Sequence, residues 1–471
     1  MLFLLASAIV LGAAPADLVT RFDAIGAQAL ASGTAAGLSI AVVRGGDIVY
    51  ARGFGLSDIA ATAPATASTP FAIGSVSKQF TAAAILLLAN DGKLSIDDPL
   101  SKYVQGFPPN ITLSNLLNQT SGLHNYPNTL EHAWPLSGPI NSDRILAILR
   151  TDKPDFEPGA RWEYSNANYA LLTVVVEKAS GMTYGEFLQS RIFRPLGMTA
   201  SGYGYGGWTT LQPATPYAGL GSLAPQVPLI SLDLFLGAGG IISSSTDLAA
   251  WDLALMRGSV VPSASVAAMW TPGHLNSGAL DQYGFGFVTD AHNGHRELWH
   301  NGLAPHAGGY CLNAIFPDDG LAIVVLSNGY GFDGQADRAV RDIFETYYPP
   351  TAAELAAGFT PAPDEDEAIR GRVKEWVARF ASGNIDRAQL APSMSEVLTP
   401  NIVAQSSAIL AQYGEPRKFE YAGKQSIDAG TLYTYRVEYE STALRWIFVL
   451  APNGKIARAR FAQWEPYFFT H

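Results

Sequence analysis

The sequence is poor in the residues that staple small secreted scaffolds or hold metals. Among 471 residues there is one cysteine, Cys311, so no intrachain disulfide can form and no multi-cysteine zinc site exists. Cys311 lies in an apolar, strand-like run, where a thiol packs as a small hydrophobe. Charge is scarce too, with Asp, Glu, Lys and Arg making up 15% of the chain and lysine occurring nine times. The balance is acidic, net −11, and no Lys/Arg cluster offsets it. A phosphate backbone or an anionic lipid surface would be repelled, so nucleic acid is not an expected partner. Past residue 14 no stretch of about 18 apolar residues occurs, which argues against polytopic membrane insertion. The chain also lacks Gly-x-Ser-x-Gly, the nucleophile elbow of α/β-hydrolases, and the Gly-x-x-x-x-Gly-Lys phosphate loop. His292 with His295, or His300 with His306, have no third ligand at a helical spacing, so no metal is expected.

Apolar residues are plentiful, at 48%, enough for a sizeable core, and the length exceeds what one core usually organises. One large and one small unit are expected. Residues 1–14 form an apolar run followed by Ala14-Pro15-Ala16, a small-x-small pattern that a signal peptidase could cut. Residues 1–16 therefore read as a signal peptide and the protein as exported, to a periplasm or the medium.

Residues 38–43 and 48–51 flank Gly45-Gly46-Asp47 and predict a hairpin whose turn needs positive φ. Residues 75–90 contain no Gly or Pro and predict a helix with its N-terminus at Ser75; residues 169–178 and 246–256 predict two more. Residues 320–326 are short, β-branched and turn-bounded, hence a buried strand. Strands at both ends with helices between them suit an α+β fold, a mixed antiparallel sheet with helices gathered on it. The composition turns to Pro and acidic residues at 360–367, which reads as a solvated linker. The expected division is thus 17–355 for the main domain and 365–471 for a small α+β domain, with a helix at 369–381 and strands at 418–422, 431–439, 444–450 and 456–461.

Three short motifs carry the chemistry. Lys78 alone among the lysines stands three positions after a serine, in Gly74-Ser75-Val76-Ser77-Lys78. On a helix that spacing brings its amine one turn from the Ser75 hydroxyl, where it could activate a nucleophile; an N-cap serine with a solvated lysine would read the same. Tyr164-Ser165-Asn166 places a phenol and an amide just before an apolar helix. A phenol near a lysine could have the lowered pKa that proton transfer needs, though a core tyrosine is the plainer reading. Tyr126-Pro127-Asn128 is a rival. His300-Asn301-Gly302 follows a strand-like run, and its glycine would let a substrate backbone approach; His292-Asn293-Gly294 and His306-Ala307-Gly308 compete with it.

In this order these motifs resemble the serine penicillin-binding protein and class C β-lactamase family. The likeness extends to residues 71–78, to Leu116-Leu117-Asn118-Gln119-Thr120-Ser121-Gly122-Leu123, to Pro158-Gly159 before Tyr164 and to Phe316-Pro317-Asp318-Asp319-Gly320. It spans about residues 20 to 345, and family order ranks Tyr164 and His300 above Tyr126, His292 and His306. The resemblance implies a β-lactamase/transpeptidase-like fold, no cofactor, and a small-molecule or peptide acyl substrate. It implies that Ser75 attacks a carbonyl, that Lys78 and Tyr164 move the protons, with the base left open between them, and that Asn166 positions these groups. His300, Asn301, Gly302 and Leu303 would line the substrate site, with Ser75 and Leu303 N–H forming an oxyanion hole. Typical β-lactamases have Lys where this chain has His300, which favours an esterase or peptidase over a β-lactamase or D,D-peptidase; a catalytically inactive binding protein is the other alternative. Trp134, Tyr203, Tyr205, Trp208 and Trp299 could line an acyl pocket or fill the core. The tail is similar to small cone-shaped domains of the cystatin and nuclear-transport-factor type.

Overall fold

Gly45 and Gly46 sit at φ +59° and +93°, the pair of left-handed positions that a two-residue hairpin turn demands. They follow helix α1 (Ala16–Ala31) and join strand β1 (Gly37–Arg44) to β2 (Asp47–Asp58), with Arg44 opposite Asp47. The computed structural model describes residues 14–31, 35–126, 142–151, 153–204, 210–218, 224–225, 235–303, 309–330, 335–349, 362–363, 365–398, 400–411, 413–427, 430–440 and 443–463. These fall into two units that part between residues 349 and 362.

In the first unit α2 (Ser77–Asn90), α3 (Asn166–Ser180) and α4 (Ser245–Arg257) lie between the opening hairpin and four later strands. Those strands are β3 (Val288–His292), β4 (His295–Leu303), β5 (Tyr310–Phe316) and β6 (Leu321–Ser327), followed by α5 (Gln335–Tyr347). The seven-stranded sheet runs from the short pair Ala63–Pro64 through β2, β1, β6, β5 and β4 to β3. The pairings of β1 with β2 and β6, and of β3 to β6 in succession, are antiparallel. Every residue of β5 and β6 is buried, so these strands are covered on both faces. On one face Phe344 of α5 stacks on Phe316 at 4.3 Å. On the other, α4 approaches through Asp252 to Asn313 and through Ser245 to Ser39. The fold is α+β, as the sequence implies.

Local chemistry sets the helix ends. Ser165 caps α3, accepting from the Ala167 N–H, and Ser244 caps α4, accepting from Asp247. The expected helix at 75–90 differs at its start. Residues Gly74–Val76 form a 3₁₀ turn, and the α-helix begins at Ser77. Gly74 sits at φ +50°, which turns the chain sharply enough that Ser75 precedes the α-helix instead of capping it.

The second unit contains α6 (Glu367–Ser382), α7 (Pro400–Ala411) and a four-stranded antiparallel meander. Its strands are β7 (Lys418–Ile427), β8 (Gly430–Glu438), β9 (Ala443–Leu450) and β10 (Ile456–Gln463). Trp376 and Phe380 of α6 pack on Trp446, which stacks on Phe448 at 5.7 Å. β7 runs past the expected 418–422, continuing through a bulge at Tyr421/Gly423. Of the acidic stretch read as solvated linker, Asp366 does more: its carboxylate accepts from Ala368 and Ile369 N–H and caps α6.

Candidate active site

Ser75 stands at the mouth of a buried polar cluster built on α2. The Lys78 Nζ lies 2.9 Å from Ser75 Oγ, 2.9 Å from Asn166 Oδ1 and 2.8 Å from the Ala238 carbonyl oxygen. Lys78 is fully buried, and burial alone holds its amine well below the ordinary lysine value. The Asn166 side-chain oxygen and the Ala238 carbonyl can only accept, so a neutral amine gives its two N–H groups to them and turns its lone pair to Ser75. On the other side of the serine, the Tyr164 hydroxyl donates to Ser75 Oγ at 2.6 Å.

The lowered pKa expected for Tyr164 is not found. Burial pushes its phenol up, and the bond to Ser75 opposes this only in part. The Lys78 Nζ lies 4.6 Å from the Tyr164 ring centroid, and no lowering by its charge is set against the burial. Tyr164 is therefore a protonated donor at neutral pH.

Each partner is itself held. Asn166 donates through its backbone N–H to Asn125 Oδ1 at 2.9 Å. Glu163 N–H donates to the Gln119 carbonyl and Ser165 N–H to Gln119 Oε1, both at 3.0 Å, so Gln119 clasps Tyr164 from either side. The Ala238 carbonyl belongs to a turn that needs glycine beside it, since a Cβ on Gly237 would come within 2.5 Å of Thr173 Oγ1 and 2.6 Å of Thr81 Oγ1. On the β4 side of the turn, a Cβ on Gly302 would lie 1.9 Å from the Ile73 carbonyl oxygen, and one on Gly74 would lie 2.7 to 2.9 Å from the Leu303 main chain. The end of β4 thus presses its backbone on the turn that carries Ser75, with the Cys311 thiol beneath, donating to Ile73 O.

His300 is brought near but turned aside. It is 1% exposed, with Nε2 3.0 Å from the Tyr283 hydroxyl and Nδ1 2.6 Å from the Asn301 carbonyl. Asn301 donates to the Tyr310 hydroxyl at 3.3 Å. Of the rivals, Tyr126 is buried, His292 closes the β3–β4 hairpin with Asn293 at φ +47°, and His306 lies outside the described residues. Trp299 and Tyr203 are core residues, while Trp134, Tyr205 and Trp208 also lie outside. Among the described residues no cluster of His, Cys, Asp and Glu could hold a metal, and no helix is long and apolar enough to cross a membrane.

Comparison with known proteins decides what this arrangement belongs to. The β-lactamase family profile matches residues 22–347. The chain belongs to the β-lactamase family. Among curated relatives, a penicillin-binding protein of Bacillus subtilis is 32% identical over 329 residues, 66% of this chain and 71% of that protein. A D-aminopeptidase of Brucella anthropi is 26% identical over 402 residues, 80% of this chain and 72% of its own. Among solved structures, an octameric penicillin-binding protein homologue from Pyrococcus abyssi superposes with a TM-score of 0.61 at 21% identity, covering 94% of this chain and 99% of that one. That β-lactamase-family fold brings the Ser75 turn together with the Tyr164 segment and the end of β4. Sequence reading missed Ala238, Asn125 and Tyr283. The glycines around Ala238 and the family-like segment containing Gln119 were the signals available.

Proposed function

We propose that this chain is a serine hydrolase that works through an acyl-enzyme on Ser75. The observation that carries the reading is a fully buried Lys78 amine that meets only uncharged oxygens, 2.9 Å from Ser75 Oγ. As Oγ bonds to the substrate carbonyl carbon, its proton passes to the Lys78 lone pair and the carbonyl π electrons move onto oxygen. The Ser75 and Leu303 N–H groups receive that oxyanion, a contribution worth about 3 kcal/mol for each donor in comparable enzymes. When the bond to the leaving group breaks, Tyr164 supplies the departing atom's proton and is reprotonated from Lys78. Water then repeats the sequence on the acyl-enzyme, releasing the acid and restoring Ser75.

The substrate is an ester, amide or peptide acyl group, with esterase or peptidase activity ahead of β-lactamase activity. A buried His300 whose nitrogens meet Tyr283 and a carbonyl gives a substrate carboxylate no fixed positive charge, and the D-aminopeptidase relative favours amide chemistry. The test is labelling by a fluorescent acyl probe, followed by turnover of a nitrophenyl ester, a D-amino-acid anilide and a chromogenic cephalosporin. Ser75 is labelled in the wild type, and Ser75→Ala loses the label with a nearly unchanged thermal midpoint. Labelling that persists in Ser75→Ala removes Ser75 as the nucleophile. Export is proposed from the apolar leader alone; a mature N-terminus near Asp17 in secreted protein supports it, and an intact Met1 in a cytoplasmic fraction refutes it.

A further inference from the structure

Among the described residues Gln119 is one of four non-glycine residues at positive φ, +64°, and it is completely buried. Such strain persists only where the surroundings over-determine it, and it gathers at functional sites. Its main-chain carbonyl and side-chain oxygen fix the residues on either side of Tyr164. The same side-chain oxygen, which takes the Ser165 N–H, also accepts from Asn168 Nδ2.

Tyr283 is also fully buried. Its ring lies edge-on to Tyr164, centroids 6.4 Å apart, and to His300, 5.8 Å apart. The Asn301 carbonyl beside His300 Nδ1 can only accept, so Nδ1 carries a hydrogen, which in the uncharged ring leaves Nε2 without one. Nε2 is then the acceptor, and the Tyr283 hydroxyl donates to it at 3.0 Å.

We propose that Tyr283 is a positioning residue for the reaction: packed edge-on against Tyr164 and bonded to His300, it ties the segment that carries Tyr164 to the strand that carries His300 and the Leu303 N–H. The proton donor on one wall and the oxyanion site on the other are thereby held at a set spacing, and His300 acts through this tie, making no contact with the substrate. Small errors in such a spacing are costly, since a displacement of about 1 Å can lower a rate roughly 100-fold.

This rests on the acyl-enzyme reading, and the experiment separates the two. Single-turnover acylation by a nitrophenyl ester is measured on the full chain as wild type, Tyr283→Phe, His300→Asn and the double variant, with thermal midpoints alongside. Each single variant is expected to acylate about tenfold more slowly at half-saturation within about twofold of wild type, and the double variant no more slowly than the worse single, because both cut one tie. Losses that multiply in the double variant, or a Tyr283→Phe rate within about twofold of wild type, overturn the proposal while leaving Ser75 labelling intact. Failure of the wild type to be labelled at Ser75 overturns both. Should Tyr283→Phe not fold, His300→Asn alone carries the test, since it removes the other end of the same hydrogen bond. A His300→Asn acylation rate within about twofold of wild type also overturns the tie.

Discussion

Lys78 and Asp252 are both completely buried, and burial moves both toward their neutral forms. Their surroundings are alike in kind. Lys78 faces Ser75, Asn166 and the Ala238 carbonyl. Asp252 accepts from Asn313 Nδ2 at 3.0 and 2.9 Å, Asn313 accepts from Gln79, and Gln79 accepts from Trp251 Nε1 at 3.0 Å. Lys78 and Gln79 are consecutive on α2, so one helix turn feeds two uncharged networks. The difference is access to a reactive atom. The same desolvation that lowers the Lys78 amine beside a hydroxyl, and so suits it to the base role proposed above, makes Asp252, sealed under the sheet, a pH-dependent load on stability.

The contrast breaks most visibly at Lys78. Lys78→Met is expected to slow acylation by about 1000-fold or more, while the thermal midpoint holds or rises because an apolar chain replaces a buried amine. Stopped-flow acylation and a thermal scan read both; a midpoint several degrees lower would make Lys78 a structural group of the Asp252 kind. Tyr164→Phe removes a donor and keeps the ring, and a loss of about 100-fold in acylation is expected. A loss below about threefold would remove Tyr164 from the proton path.

Asp252 sharpens the other half. Burial lifts its carboxyl from 3.8 to about 8, so between those values the folded chain keeps a proton that the unfolded chain has released. Its contribution is complete below about pH 4, declines as the pH rises toward 8, and is gone above. Asp252→Asn is expected to shrink the stability difference between pH 5 and pH 8.5 by roughly 1–3 kcal/mol, measured by denaturant titration of both proteins at both pH values. An identical pH dependence in wild type and variant would mean Asp252 is ionised when folded. The smallest effect is expected from removing residues 362 onward, because both buried groups belong to the first unit. Acylation should stay within about threefold, and insolubility of the shortened chain would count against an independent catalytic unit.

Much of this was legible because it is local. Gly45 and Gly46 announce their turn, residues 320–326 announce a buried strand, found at Leu321–Ser327, and the three motifs name Ser75, Lys78, Tyr164 and His300. What was not legible lies across the chain. Ala238 meets Lys78 over a separation of 160 positions and Asn313 meets Gln79 over 234, distances at which no periodicity carries information. Which of the two readings of Tyr164 holds, a lowered phenol or a core tyrosine, was not legible for the same reason: it depends on burial by distant elements. The 3₁₀ turn at Ser75 is set by the close approach of Leu303 to Gly74, another contact invisible in a window of sequence.

The place of β1 in the sheet sets a clock for biogenesis. Gly37 N–H donates to Asn328 Oδ1 over 291 positions, and β1 pairs with β6 from Leu38 opposite Ser327 to Arg44 opposite Leu321. A ribosome adding about 5–20 residues per second delivers that partner roughly 15–60 s after β1 itself. Until then the opening hairpin has an unpaired edge, open to other chains or to a chaperone. Ser75, Lys78 and Tyr164 have all been synthesised by then, yet a chain halted before residue 321 has no strand to complete the sheet beneath them. The proposed nucleophile is thus in place before the closing strand of the unit, and a nascent chain carries Ser75 without the finished sheet.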